Sequence, residues 1–176
     1  VQAMEADFGA ILDPGAEHLF VVDEKGRLIP DHALLLLLLE QAARESGGGA
    51  IALPLHATRH AEHVVASLGA TVRRTKCSKA ALTAEATRPN TIFAATGDGG
   101  YIYPSLLPSL DGLYALGKVL EIVSASDAPL SSLVDRLPVA HLAHLEVDCP
   151  WDQKGLVMRR MTEKLREGRV SLVDGI

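Results

Sequence analysis

The sequence predicts an α/β protein. The expected core is a three-layer α/β/α domain with a mostly parallel sheet, preceded by a strand-pair remnant and followed by the start of an α+β domain. Three observations carry that expectation. Short apolar runs at residues 50–53, 70–74 and 92–95 alternate with longer segments of helical period. Six consecutive leucines, residues 34–39, make one of those helices apolar on every face, as in a helix buried on most sides. Hydrophobic residues reach 48% while aromatics are only 4%, so the core is built from Leu, Val, Ile and Ala.

The elements follow in order. Residues 6–12 read as a strand with Phe8, Ala10 and Leu12 on its apolar face. A turn-rich loop, Asp13-Pro14-Gly15-Ala16-Glu17-His18, leads to a second strand over 19–22, which the turn Asp23-Glu24-Lys25-Gly26 closes. Pro30-Asp31 opens the leucine helix, with Asp31 as N-cap, and Ser46-Gly47-Gly48-Gly49 ends it. Then come a strand at 50–53, a helix at 57–68, a strand at 70–74, a helix at 77–87 and a strand at 92–95. A helix over 111–125 shows Leu113, Leu116, Leu120 and Val123 on one face, and a short helix spans 128–137. A strand at 141–147, an amphipathic helix at 151–166 and a strand at 170–173 complete the chain. An opening strand pair and a closing strand, each without a partner in sequence, read as a cut from a longer protein.

Composition excludes several classes. The net charge is −5 and no basic cluster occurs, which argues against nucleic-acid binding. The longest apolar run, residues 33–39, is far too short to span a membrane. The polar opening Val1-Gln2-Ala3-Met4-Glu5 does not read as a leader, so none is expected, and the two distant cysteines, Cys77 and Cys149, fit a reducing compartment as small buried apolar residues. The expected location is the cytoplasm. The oligomeric state is not legible.

Four groups of residues are candidates for chemistry. The first is Thr96-Gly97-Asp98-Gly99-Gly100-Tyr101, at the carboxyl end of the 92–95 strand, where ligands gather in α/β proteins. Gly97, Gly99 and Gly100 permit a sharp turn and the approach of a ligand to backbone N–H groups; the same glycines equally suit a bare turn. Asp98 is expected to point away, and Tyr101 to offer a ring to a sugar face. The second is Arg74 and Lys76, with Arg73 and Lys79, near a strand end, as phosphate contacts or as ordinary exposed charge. The third is Asp13 and Glu17, two carboxylates on one loop. Such a pair is a poor Mg²⁺ site or, more simply, a solvated turn. The fourth is His56, His60 and His63, spaced four and three apart. On one helix they share a face, but no fourth zinc ligand is evident, so a solvated face is the better reading. No Ser-His-Asp elbow, Walker loop or dinucleotide fingerprint occurs, and no residue is expected to be catalytic.

The run from Ala6 through Asp13-Pro14-Gly15-Ala16-Glu17-His18 to Gly26 resembles the phosphohexomutase family, the phosphomannomutases and phosphoglucomutases. So do Gly69-Ala70-Thr71-Val72-Arg73-Arg74-Thr75-Lys76, the segment from Gly100-Tyr101-Ile102-Tyr103-Pro104 to Asp111-Gly112-Leu113, and Cys149-Pro150-Trp151 through Arg160. The resemblance implies three segments: residues 1–27 as the end of a second domain, 28–138 as a third, α/β/α domain, and 139–176 as the start of a fourth. It implies a Mg²⁺ loop of the form Asp-Gly-Asp-x-Asp-Arg at Asp13–His18. Here Asp13 stands, Gly15 and Glu17 replace the other two aspartates, and His18 replaces the arginine, so Mg²⁺ is a doubtful cofactor. It also implies a sugar loop of the form Gly-Glu-x-Ser-Gly-His, from which Gly97, Gly99 and Tyr101 depart while Gly100 persists. The implied ligand is a hexose phosphate or sugar nucleotide of the mannose 1-phosphate or GDP-mannose type, and the implied partners are the remaining domains of a parent protein. Degenerate segments of this kind are similar to the C-terminal part of bifunctional proteins that begin with a sugar nucleotidyltransferase. The chain alone is expected to lack mutase turnover, since the phosphoserine domain is not in it. The alternative is a non-catalytic module that binds sugar phosphate or regulates a linked transferase.

Overall fold

A computed structural model describes residues 1–141, 143 and 145–165. The chain divides into two compact units, Val1–Ala140 and His141–Ile176.

The first unit opens with the antiparallel pair β1 (Phe8–Leu12) and β2 (Leu19–Asp23), with Leu12 opposite Leu19. Helix α1 (Asp31–Ser46) follows. Its N-cap is Pro30, whose φ of −60° is set by the ring, and Asp31 is the first helical residue rather than the cap expected from sequence. Gly47 ends the helix in the left-handed conformation, φ 68°. All six leucines of residues 34–39 are buried, as a helix apolar on every face requires.

The central sheet has the order β4-β3-β5-β6. Strands β3 (Gly49–Pro54), β4 (Ala70–Thr75) and β5 (Thr91–Ala95) are parallel, and β6 (Tyr101–Ile102) joins β5 antiparallel. The sequence gives no separate sign of β6, because two residues directly after a glycine cluster show no period. Helices α2 (His60–Ala66), α3 (Lys79–Ala86), α4 (Gly112–Ser124) and α5 (Leu130–Asp135) complete the unit.

Side chains alternate across a strand, and the core divides accordingly. Ile51, Leu53, Phe93, Ala95, Tyr101 and Tyr103 face one cluster with α1, α2, α4 and α5. Ala52, Ala94 and Ile102 face a second with Leu82 and Ala86 of α3. Helices thus cover both faces of a mostly parallel sheet, as the apolar runs predict. The face of α4 differs from expectation. Leu113 and Leu120 are exposed, while Gly112, Ala115 and Val119 are buried. The small side of the helix packs inward because its first turn approaches the 13–18 loop closely: a Cβ on Gly112 would lie 2.9 Å from Leu12 Cδ2 and 3.0 Å from the carbonyl of Ala16.

In the second unit, residues Trp151–Gln153 form a 3-10 turn that runs into α6 (Lys154–Leu165). The Lys154 ammonium lies 5.3 Å from the centre of the Trp151 ring. The strand expected over 141–147 is not present in its described residues, and the strand expected over 170–173 lies outside the described residues. No helix among the described residues is long and apolar enough to cross a membrane.

Candidate active-site cleft

A cleft of about 180 Å³ opens at the carboxyl ends of the three parallel strands. Its wall comes from Pro54 at the end of β3, from Lys76, Cys77, Ser78 and Lys79 beyond the end of β4, and from Thr96 and Asp98 beyond β5. His18, His56 and Leu82 complete it. Loops at this edge of a parallel sheet converge because every strand delivers its successor there.

The glycine loop is built by its own hydrogen bonds. The Thr96 N–H donates to the Gly100 carbonyl at 2.9 Å, and the Gly100 N–H donates to Thr96 Oγ1 at 3.0 Å. Gly97 and Gly99 have φ of 92° and 98°, which L side chains rarely adopt. The loop docks on the opening strand pair: the Leu19 N–H donates to the Gly99 carbonyl at 2.9 Å, and His18 and Gly100 form an antiparallel bridge. The expected approach of the loop to that strand pair is therefore present. Other expectations need correction. Gly99 and Gly100 are buried, and the Gly100 N–H is already committed, so these glycines form the loop rather than an open anion cradle. Tyr101 is 1% exposed, packed beside Phe93 in the core with ring centroids 6.2 Å apart, and has no face to give to a sugar. Burial also pushes its phenol far above the usual range. Asp98 does not turn away: it lines the cleft, with Oδ1 4.0 Å from His18 Nε2.

The two basic candidates separate. Arg74 forms a forked pair with Glu62, both contacts at 2.8 Å, and donates to the carbonyls of Pro54, Ala57 and Thr58. Its guanidinium holds the β3–α2 connection and is not free to meet a phosphate. Lys76 is exposed and lines the cleft.

The 13–18 loop is closed on itself. Asp13 Oδ1 accepts the backbone N–H groups of Glu17 at 2.7 Å and His18 at 3.1 Å, and Oδ2 meets His18 Nδ1 at 3.0 Å. The His18 backbone N–H, then the His18 ring, hold the Asp13 carboxyl below its usual range. Glu17 is paired with Lys79, the first residue of α3. Nearby, burial and then the Asp98 charge hold the Asp31 carboxyl above its usual range. Among the described residues, no group of three His, Cys, Asp or Glu side chains is placed to hold a metal ion. Mg²⁺ takes octahedral oxygen ligands, and here one carboxylate is occupied by backbone donors and the other by an ammonium. This donor set does not fit Mg²⁺.

The three histidines do not share one helix face. His56 sits on the loop after β3, with Nε2 3.0 Å from the Thr96 carbonyl, while α2 begins only at His60. Cys77 is exposed rather than buried. His18 is a cleft residue that the sequence reading did not select, and His56, selected only as one of three histidines on a helix face, is another. Their position directly after or before strand ends was the available signal.

Residues 30–140, more than half of the chain, match the family model described as phosphoglucomutase/phosphomannomutase, alpha/beta/alpha domain III. The chain belongs to the phosphohexomutase family. It is 28% identical to a probable phosphoglucosamine mutase of Methanopyrus kandleri, covering 100% of this chain and 39% of that protein. It is 27% identical to a phosphoglucomutase/phosphomannomutase of Thermococcus kodakarensis, covering 99% and 39%. A phosphoglucomutase/phosphomannomutase family structure from Burkholderia thailandensis superposes with a TM-score of 0.72 at 25% identity, over 80% of this chain and 31% of that one. A structure of a putative phosphomannomutase from Thermus thermophilus shares the fold, with a TM-score of 0.69 at 23% identity over 74% and 30%. The chain therefore spans about two fifths of the length of these curated relatives.

Proposed function

We propose that this chain supplies the third-domain part of a phosphohexomutase-type protein, and that its cleft receives the sugar end of a hexose phosphate. Thr96, Gly97 and Asp98 are the loop contacts and Lys76 the phosphate contact, while Gly99 and Gly100 fix the loop's backbone. The observation that carries the reading is the convergence of the glycine loop and Lys76 at the carboxyl ends of β3, β4 and β5. Asp98 and Thr96 offer acceptors to sugar hydroxyls, and Lys76 offers one cation, which suits a monophosphate better than a more highly charged ligand. Mannose 1-phosphate and GDP-mannose are the ligands favoured by the sequence resemblance, in a parent protein that also carries a sugar nucleotidyltransferase. The relatives' names widen the class to phosphoglucosamine and phosphoglucose.

Residues 1–176 alone are expected to bind without turnover. Mutase chemistry needs a phosphoryl donor and a counter-charge for the transferring group, and the Asp13–His18 loop is occupied by its own chain. The second reading is a sugar-phosphate-binding module that regulates a linked transferase. The test is an amide NMR titration with mannose 1-phosphate, glucosamine 1-phosphate and GDP-mannose on the native chain and on Lys76→Ala. Movement of the Gly97 and Asp98 amides in the native chain, weakened about fivefold or more by Lys76→Ala, is expected for a charge-assisted contact. Unmoved amides at millimolar ligand would end the reading, and a coupled assay showing turnover by this chain would end its non-catalytic part.

A further inference from the structure

We propose that Cys77 is a nucleophilic thiol that reacts with hydroperoxides, with His56 as its base. His56 Nε2 lies 3.0 Å from the carbonyl of Thr96, and a carbonyl can only accept, so Nε2 carries the proton. In the neutral ring Nδ1 then holds the lone pair, and it faces Cys77 Sγ at 3.4 Å. The arrangement is a nucleophile, a base within reach and a third group that fixes the base's tautomer and orientation. The thiol is exposed, so a reagent can reach it. Lys76 lines the same cleft. The space, about 180 Å³, suits a small electrophile.

Cys77 Sγ passes its proton to His56 Nδ1, and the thiolate attacks one oxygen of the peroxide. The S–O bond forms as the O–O bond breaks, and the leaving hydroxide takes the proton from His56 as water. Sulfur is oxidised by two electrons to a sulfenic acid, and the peroxide is reduced. The chemistry requires no sugar, so it stands or falls apart from the proposed hexose phosphate site.

Cys149 is an internal control. It is a free cysteine, partly exposed, whose thiol donates to the Pro150 carbonyl at 3.7 Å. The experiment treats the whole chain with hydrogen peroxide at neutral pH, traps sulfenic acid with dimedone and follows both cysteine peptides by mass spectrometry. Cys77 is expected to be trapped at least about tenfold faster than Cys149, and His56→Asn to remove most of that advantage, within the range for loss of a general base. The Cys149 rate should not change. Equal rates at the two cysteines in the native chain overturn the proposal, whether or not the variant folds. So does an undiminished Cys77 rate in His56→Asn or His56→Gln of native circular dichroism.

Discussion

Two loops meet at the carboxyl edge of this sheet, and they differ in what they leave open. Asp13–His18 spends its polar groups on its own chain: Asp13 on two backbone N–H groups and His18, Glu17 on Lys79. Thr96–Gly100 spends its backbone at Thr96, Gly99 and Gly100 and leaves Asp98 in the cleft beside Lys76. Both are the segments that resemble functional loops of the family. The second leaves a carboxylate facing the cleft, while the first sends only the His18 ring there. Resemblance locates a loop; the partners its side chains already have decide whether it can act.

The same contrast divides the two cations of the β4 end, and it gives the largest predicted effect. Arg74→Ala removes the forked pair to Glu62 and leaves three backbone carbonyls without that donor. We expect a loss of about 2–3 kcal/mol in urea unfolding, while Lys76→Ala stays within about 0.5 kcal/mol of the native chain. Equal losses would mean that the structural and ligand-facing roles have been assigned to the wrong residues.

Next in size is the seam between the loops. Gly99 has φ 98°, and a Cβ there would lie 3.2 Å from the Leu19 carbonyl, at the point where the loop docks on β2. Gly99→Ala should cost about 1–3 kcal/mol through backbone strain. Gly117, whose added Cβ meets nothing within 4 Å, is the control: Gly117→Ala should stabilise helix α4 by up to about 1 kcal/mol.

A smaller effect concerns the self-satisfied loop. Hydrogen bonds hold the Asp13 carboxyl below the usual range of an aspartate, so its contribution to stability is present in full above the unfolded value and is lost as pH falls through the folded one. The difference in melting temperature between the native chain and Asp13→Asn should therefore be constant above about pH 5 and shrink below the unfolded value. A difference that grows on acidification would contradict the hydrogen-bond account.

Much of this architecture is readable in the residues. Apolar runs mark β3, β4 and β5, and the leucine block marks the buried α1, because burial on all sides leaves no polar position to interrupt the pattern. Reading α4 from its leucines puts the buried face partly out of place. Of Leu113, Leu116, Leu120 and Val123, Leu116 and Val123 do pack against the core, but Leu113 and Leu120 are exposed, and the close approach of Gly112 to the 13–18 loop goes with burial of Ala115 and Val119. That is a tertiary constraint with no local signature. The glycine cluster locates the site, but not its roles. Tyr101 begins a strand whose pairing turns its ring inward, and no local pattern tells Arg74, caught by Glu62, from Lys76 just past the strand. The Cys77–His56 pair joins residues from two different strand ends and is visible only once β3 and β4 lie side by side.

The central claim is that the glycine-loop cleft binds hexose phosphate while the Asp13–His18 loop takes no part as a metal site. Its most direct test is an amide NMR titration of mannose 1-phosphate in millimolar Mg²⁺ and again in excess chelator. The account predicts the same affinity in both, with Gly97 and Asp98 moving and Asp13 to His18 unmoved by the metal. Binding that appears only with Mg²⁺, accompanied by shifts at Asp13 and Glu17, would contradict it.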